Sequence, residues 1–243
     1  MNTTPTVRRA LVAESFLLIP DTITDLADFT ARPAHYLVGI DADPAAAAAL
    51  WFARRERHPY GSEGLVRLRY HSLDLIPVDL WDDVTGIWLA LLDAVEGYLR
   101  TGHGSGPLPE QPVELELQRL GRSARFTANG IRHVVDPDAV VPGILAEAHR
   151  YFSWVNDIIG EGQHQVFARL AELEPLAALA LAGSVRSRPG ATTGEKLRER
   201  VAAHGPDSRG GPIPGDHALD LQDLRARRSV AKVQGQNLSS AAD

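Results

Sequence analysis

The chain has 243 residues, 44% of them hydrophobic and 23% charged, which suits a globular domain followed by a tail, or two small domains. No apolar run approaches the roughly 18 residues of a membrane-spanning helix, and with no cysteine there are no disulfides, thiolate metal sites or cysteine nucleophiles. The net charge of −6 is uneven: residues 1–183 carry 15 Lys+Arg against 24 Asp+Glu, net −9, whereas residues 184–243 carry 10 against 7, net +3. An acidic body argues against nucleic acid as a main partner.

Arginine supplies nearly all the positive charge, since Lys196 and Lys232 are the two lysines. With heavy alanine and glycine use, this suggests a GC-rich bacterial genome. The opening MNTTPTVRRALVAESFLLIP places two arginines before an apolar stretch, as a signal peptide does. Glu14 interrupts that stretch and no small-residue cleavage site follows, so the chain reads as cytoplasmic.

In chain order, residues 9–19 read as a strand ended by Pro20 and Asp21. Asp21 or Thr22 is then the expected cap of a short helix to about Phe29. Residues 35–40 read as a second strand. Asp43 followed by Pro44 is a helix start, an N-cap oxygen and then a proline at the first helical position, and that helix is expected to reach about Arg57. In 65–72, Val66, Leu68 and Tyr70 alternate with Arg67, Arg69 and His71, the signature of a half-buried strand. From about Leu80 to Tyr98, apolar residues recur at helical spacing, with Asp79 as expected cap and Asp82 and Asp83 at the positive end of the helix dipole.

A Gly- and Pro-rich stretch, TGHGSGPLPEQP, reads as a loop. VELEL at 113–117 alternates as a strand. Asn129-Gly130 between two further strand-like runs predicts a two-residue hairpin that sets Phe126 opposite His133 and Ala128 opposite Ile131. Asp136-Pro137-Asp138 reads as turn chemistry, Pro142 as the start of a helix to about Ile159, and 162–182 as a last helix. From residue 184 glycine, proline, serine and charge dominate, and such a segment buries too little apolar surface to offset its ordering entropy. The expectation is an α+β fold, a mostly antiparallel sheet covered by amphipathic helices. It comprises one domain over 1–183, with 65–159 its clearest compact unit, and a largely disordered C-terminal tail over 184–243.

The segment VGIDADP, residues 38–44, offers candidate chemistry. An apolar strand ending in an acid resembles the second strand of Rossmann-like methyltransferases. That resemblance implies that Asp41 holds the ribose hydroxyls of S-adenosylmethionine. It also requires a glycine-rich turn after the preceding strand, and IPDTITDLADF contains no glycine. Asp41-Ala-Asp43 likewise resembles the nucleophile motif of haloacid-dehalogenase-type phosphatases. This resemblance implies a nucleophilic acid, a lysine at Lys196 and magnesium-binding acids at Asp216 and Asp220. Here the late acids follow Gly210-Gly-Pro-Ile-Pro-Gly215, which is no buried strand. A bland reading, strand, cap and helix, explains Asp43-Pro44 fully.

His133 shares a face with Phe126, Ile131 and Val135, where a histidine is either a base of lowered pKa or a satisfied, partly buried side chain. His133, Asp136, Asp138, Glu147 and His149 match no standard metal spacing. Trp154 lies almost opposite its helix's apolar stripe and Trp81 sits near the edge of another, so both are candidate interface residues, the alternative being that the 162–182 helix covers Trp154. The leading expectation is a non-catalytic protein-interaction or regulatory protein, for example toxin-neutralising. It would need no cofactor, bind another protein, and bind neither nucleic acid nor membrane. The alternative is an enzyme handling a nucleotide or phosphate ester with Asp41 and Asp43, and with His133 as a further catalytic candidate.

Overall fold

The structure, a computed structural model, describes residues 10–20, 22–57 and 62–186. Strand β1 (Leu11–Leu18) lies inside an antiparallel sheet, between β2 (Leu37–Gly39) and β3 (Glu63–Tyr70). The short β4 (Leu73–Asp74) and β5 (Asp82–Asp83) also pair with β3. Leu11, Ala13, Ser15 and Leu17 of β1 are buried on one face, next to Val66 and Leu68 of β3. The alternation fails at Leu18 and Leu65, which are buried on the opposite face. A small cluster covers them there, built on Phe29 of α1 (Leu26–Ala31) and Leu37, with Trp81 edge-on to Phe29 at 5.6 Å.

Helix α3 (Val84–Thr101) sits between this sheet and a second one. It is apolar nearly all round, burying Ile87, Trp88, Leu91, Leu92 and Val95 among others, as a helix covered on several sides must. The second sheet is a four-stranded antiparallel meander: β6 (His103–Pro107), β7 (Glu114–Leu120), β8 (Ser123–Ala128) and β9 (Ile131–Val135). Its inner face presents Leu115, Leu117, Ala124, Phe126, Ala128 and Val135. The fold is thus α+β, with antiparallel sheet covered by helices, but in two sheets rather than one.

Strand β6 falls in the stretch expected to be a loop. Its glycines are what allow it to be a strand. A β-carbon at Gly104 would lie 2.2 Å from the Ala94 carbonyl oxygen, and one at Gly106 2.1 Å from that of Ala90. The β6 backbone therefore lies directly on α3, closer than any side chain permits. The hairpin after β8 matches the sequence reading. Asn129 and Gly130 have φ of 49° and 76°, and Phe126 pairs with His133 and Ala128 with Ile131.

Several helix starts differ from expectation. Helix α1 begins at Leu26, capped by Asp25, whose carboxylate accepts from the Asp28 amide at 2.9 Å. Helix α3 is capped by Asp83 rather than Asp79, because Asp82 and Asp83 first pair with β3. The buried Asp82 carboxylate accepts the Glu110 amide at 3.1 Å, which ties the β6–β7 connection to this corner. Helix α4 (Pro137–Trp154) starts with Asp136 as cap and Pro137 at its first position, five residues before the expected Pro142. It passes into a π-helical turn (Val155–Ile159) that ends at Gly160 with φ 79°. Helix α2 (Pro44–Arg55) begins as expected, with Asp43 accepting from the Ala46 amide at 2.9 Å.

Helix α5 (His164–Arg186) packs on α4 and α3. The expected tail falls outside the described residues from 187 onward. Arg169 of α5 reaches two acids of α3, with Nη2 2.6 Å from Asp93 and Nε 2.8 Å from Glu96, while Arg100 also donates to Glu96 at 2.8 Å. Partial burial pushes the Glu96 carboxyl up, but hydrogen bonds from Arg100 and Arg169 and their positive charges outweigh it and hold it below its ordinary value.

Two measurements check this architecture. Gly106→Ala forces a β-carbon into the α3 backbone and should cost about 3 kcal/mol or more in chemical denaturation, whereas Ser105→Ala, on the outer face, should be close to neutral. Because Glu96 is more acidic folded than unfolded, its contribution is present above its unfolded value and lost as pH falls through the lower folded value. Wild type should therefore be more stable than Glu96→Gln at pH 7, and the gap should close as pH drops below about 4.5, the ordinary carboxyl value.

Candidate functional site

The strand that carries the opening acid motif ends beside α4. Ile40 continues from β2, and its amide donates to the Ser15 carbonyl at 2.9 Å, which leaves Asp41 at the mouth of a small pocket. Ser15, Ile40 and Asp41 form one wall. Glu147, Arg150, Tyr151 and Trp154 of α4 form the other, at the i, i+3, i+4, i+7 spacing that puts them on one helix face. The cavity is about 50 Å³. Trp154 is immediately followed by the π-helical turn, a deviation often found at functional sites.

Charge in the pocket is shared among three groups. Arg150 Nη2 lies 2.6 Å from a Glu147 carboxylate oxygen and 3.2 Å from Asp41 Oδ2, and it donates to the Ala13 carbonyl at 2.6 Å. Glu147 is buried, at 6% side-chain exposure, while Asp41 and Arg150 are each 48% exposed. One acid is thus part of the interior and the other belongs to the surface.

Below the pocket the chemistry is locked. Trp88 donates its indole N–H to the Ser15 hydroxyl at 2.9 Å and stacks on Tyr151 at 6.0 Å between ring centres. The Tyr151 hydroxyl meets the Thr85 hydroxyl at 2.8 Å, Thr85 meets Ser62 at 3.1 Å, and Ser62 hydrogen-bonds the Asp83 carboxylate that caps α3. Burial drives the Tyr151 hydroxyl far above the usual phenol range, so it stays neutral at any physiological pH. The Ser15 hydroxyl serves as acceptor to Trp88.

The residues singled out from sequence scatter. Asp41 and Trp154, noted for unrelated reasons, line the same pocket. Asp43 caps α2 and is not among the lining residues. His133 is half-buried on β9, opposite Phe126 and away from both acids. Trp81 belongs to the small cluster around Phe29. Trp154 packs edge-on against Trp51 of α2 at 5.8 Å. Its indole N–H is buried without an acceptor.

Among the described residues, no group of three or more His, Asp or Glu could hold a metal ion, so His133, Asp136, Asp138, Glu147 and His149 do not assemble as one. Also among them, no helix is long and apolar enough to cross a membrane. Lys196, Asp216 and Asp220 lie outside the described residues. The sequence reading missed Arg150 and weighed Glu147 only within an unmatched metal set; the signal for the pair was the Glu147-x-x-Arg150-Tyr151-x-x-Trp154 spacing on one helix face. Comparison with protein-family models, curated proteins and solved structures finds no match to the chain.

The Trp88–Ser15 bond gives a direct test of the pocket floor. Ser15→Ala leaves a buried indole N–H without its acceptor and should cost about 1–3 kcal/mol by equilibrium unfolding, while Ser105→Ala on the outer sheet face should not.

Proposed function

We propose that the protein is a non-catalytic interaction or regulatory protein of the bacterial cytoplasm, of the kind that neutralises a toxin or controls another protein by binding it. One observation carries this reading: the pocket to which the Asp41 strand leads is about 50 Å³, and both of its acids are ion-paired with one arginine. A nucleotide or phosphate-ester substrate calls for a pocket of roughly 300 Å³ or more. The surroundings suit a partner instead. Half-exposed Asp41 and Arg150 sit next to Trp154, Phe52 is exposed on α2, and Ile158 is exposed on the π-helical turn that packs against α2. Arg55 of α2 bridges to Glu161 just beyond that turn at 2.6 Å, holding this mixed apolar and charged corner together.

Binding of this kind needs shape and charge rather than a reactive constellation. The arginine-for-lysine composition supports a bacterial source, and the lack of cysteine fits a reducing compartment. The tagged full chain should capture one stoichiometric partner from its source cells, and Phe52→Asp should lose that partner while retaining its fold by circular dichroism. Failure to capture any partner, together with a thermal shift on S-adenosylmethionine, Mg²⁺ or a nucleotide that Asp41→Asn abolishes, would turn the reading toward an enzyme.

A further inference from the structure

We infer that the pocket at Asp41 receives a cationic side chain, arginine or lysine, from the protein partner; the identity of the occupant rests on the interaction reading above. Arg150 is over-committed. Its Nη2 bears two hydrogens and faces three acceptors, of which the Ala13 carbonyl and Glu147 are at 2.6 Å and Asp41 at 3.2 Å. The Ala13 carbonyl takes a hydrogen bond from it, while Glu147 and Asp41 are held as ion pairs. Asp41 is left with the longest contact and no hydrogen bond, and its carboxylate is half-exposed at the mouth of the cavity.

Two carboxylates and one guanidinium line the pocket, so the charge there favours an added cation. An added anion would face two carboxylates. The remaining walls match the occupant. Ile40 and Tyr151 offer apolar surface to an alkyl stem, and Trp154 offers an aromatic ring to a guanidinium or ammonium group. About 50 Å³ admits such a terminal group and excludes a larger ligand. The acidic body, net −9 over residues 1–183, would steer a basic partner toward it.

The probe is methylguanidinium chloride, titrated into ¹⁵N-labelled full-length protein while the four tryptophan indole signals are followed, with Trp154→Phe assigning the relevant one. The expected result is a saturable shift of the Trp154 indole in the millimolar range, absent with sodium chloride or sodium acetate at equal ionic strength. Asp41→Asn should weaken it at least fivefold, whereas Asp43→Ser, which keeps a capping oxygen, should leave it unchanged. A shift that never saturates, an equal response to acetate, or undiminished binding by a folded Asp41→Asn protein would overturn the proposal. The acetate arm on wild type decides the matter even if a variant fails to fold. Because the titration uses no partner, it separates the two conclusions. Captured partner with no methylguanidinium site sinks the site alone, and a site without any partner sinks the interaction reading.

Discussion

The fold turns on one helix serving two sheets. Helix α3 supplies apolar side chains to the five-stranded sheet on one side and to the meander on the other, so the two layers share a single hydrophobic core. This works because β6 comes within backbone distance of the helix. Gly97 on α3 faces Gly104 on β6, and a β-carbon at Gly97 would lie 2.5 Å from the Gly104 α-carbon. With side chains there, the meander would stand off and its inner leucines would lose part of their burial. The glycine-rich stretch is thus a packing surface whose sequence resembles a loop.

That central helix also determines where the candidate site lies. Trp88 projects from α3 to Ser15 on β1, and Tyr151 on α4 stacks on Trp88 while reaching the α3 cap through Thr85. β1, α3 and α4 are fixed to one another at this point by hydrogen bonds between buried groups. Such a floor is rigid, because each donor removed leaves a partner unsatisfied in a water-free setting. The pocket above it inherits that rigidity, while its rim, formed by Asp41 and Arg150, stays open to solvent.

Some of this was legible in the sequence, and the reasons are local. Asp43-Pro44 and Asn129-Gly130 each specify their own backbone geometry, so one helix start and one hairpin register could be read directly. Asp136-Pro137 carries the same signal as Asp43-Pro44, but Asp138 and Pro142 made it look like a turn before a later start. In fact Pro142 lies inside α4, at its sixth position, where the helix goes without one intrahelical amide donor. The cap of α3 was placed at Asp79 instead of Asp83 because the pairing of Asp82 and Asp83 with β3 is a long-range event. The site was illegible for the same reason. It joins residue 15, residues 40–41 and one face of a helix at 147–154, and no local pattern announces that meeting. Even the ring packed against Trp154 comes from Trp51, in a different helix.

Stability alone does not account for the charges in the pocket. A half-exposed pair such as Asp41–Arg150 contributes about 0–1 kcal/mol. Burying the Glu147 carboxylate costs several kcal/mol before Arg150 compensates, and apolar residues of similar volume often do as well or better. A leucine at 147 and a neutral residue at 41 would extend the surrounding core with less at stake. What the ionic arrangement supplies instead is orientation. Glu147 and the Ala13 carbonyl hold the Arg150 guanidinium in one place, and that placement sets the field at Asp41. The arrangement leaves the Asp41 carboxylate half-exposed beside Arg150 and Trp154. On the proposed reading such a carboxylate is available to an external charge, as a helix cap or a core contact is not.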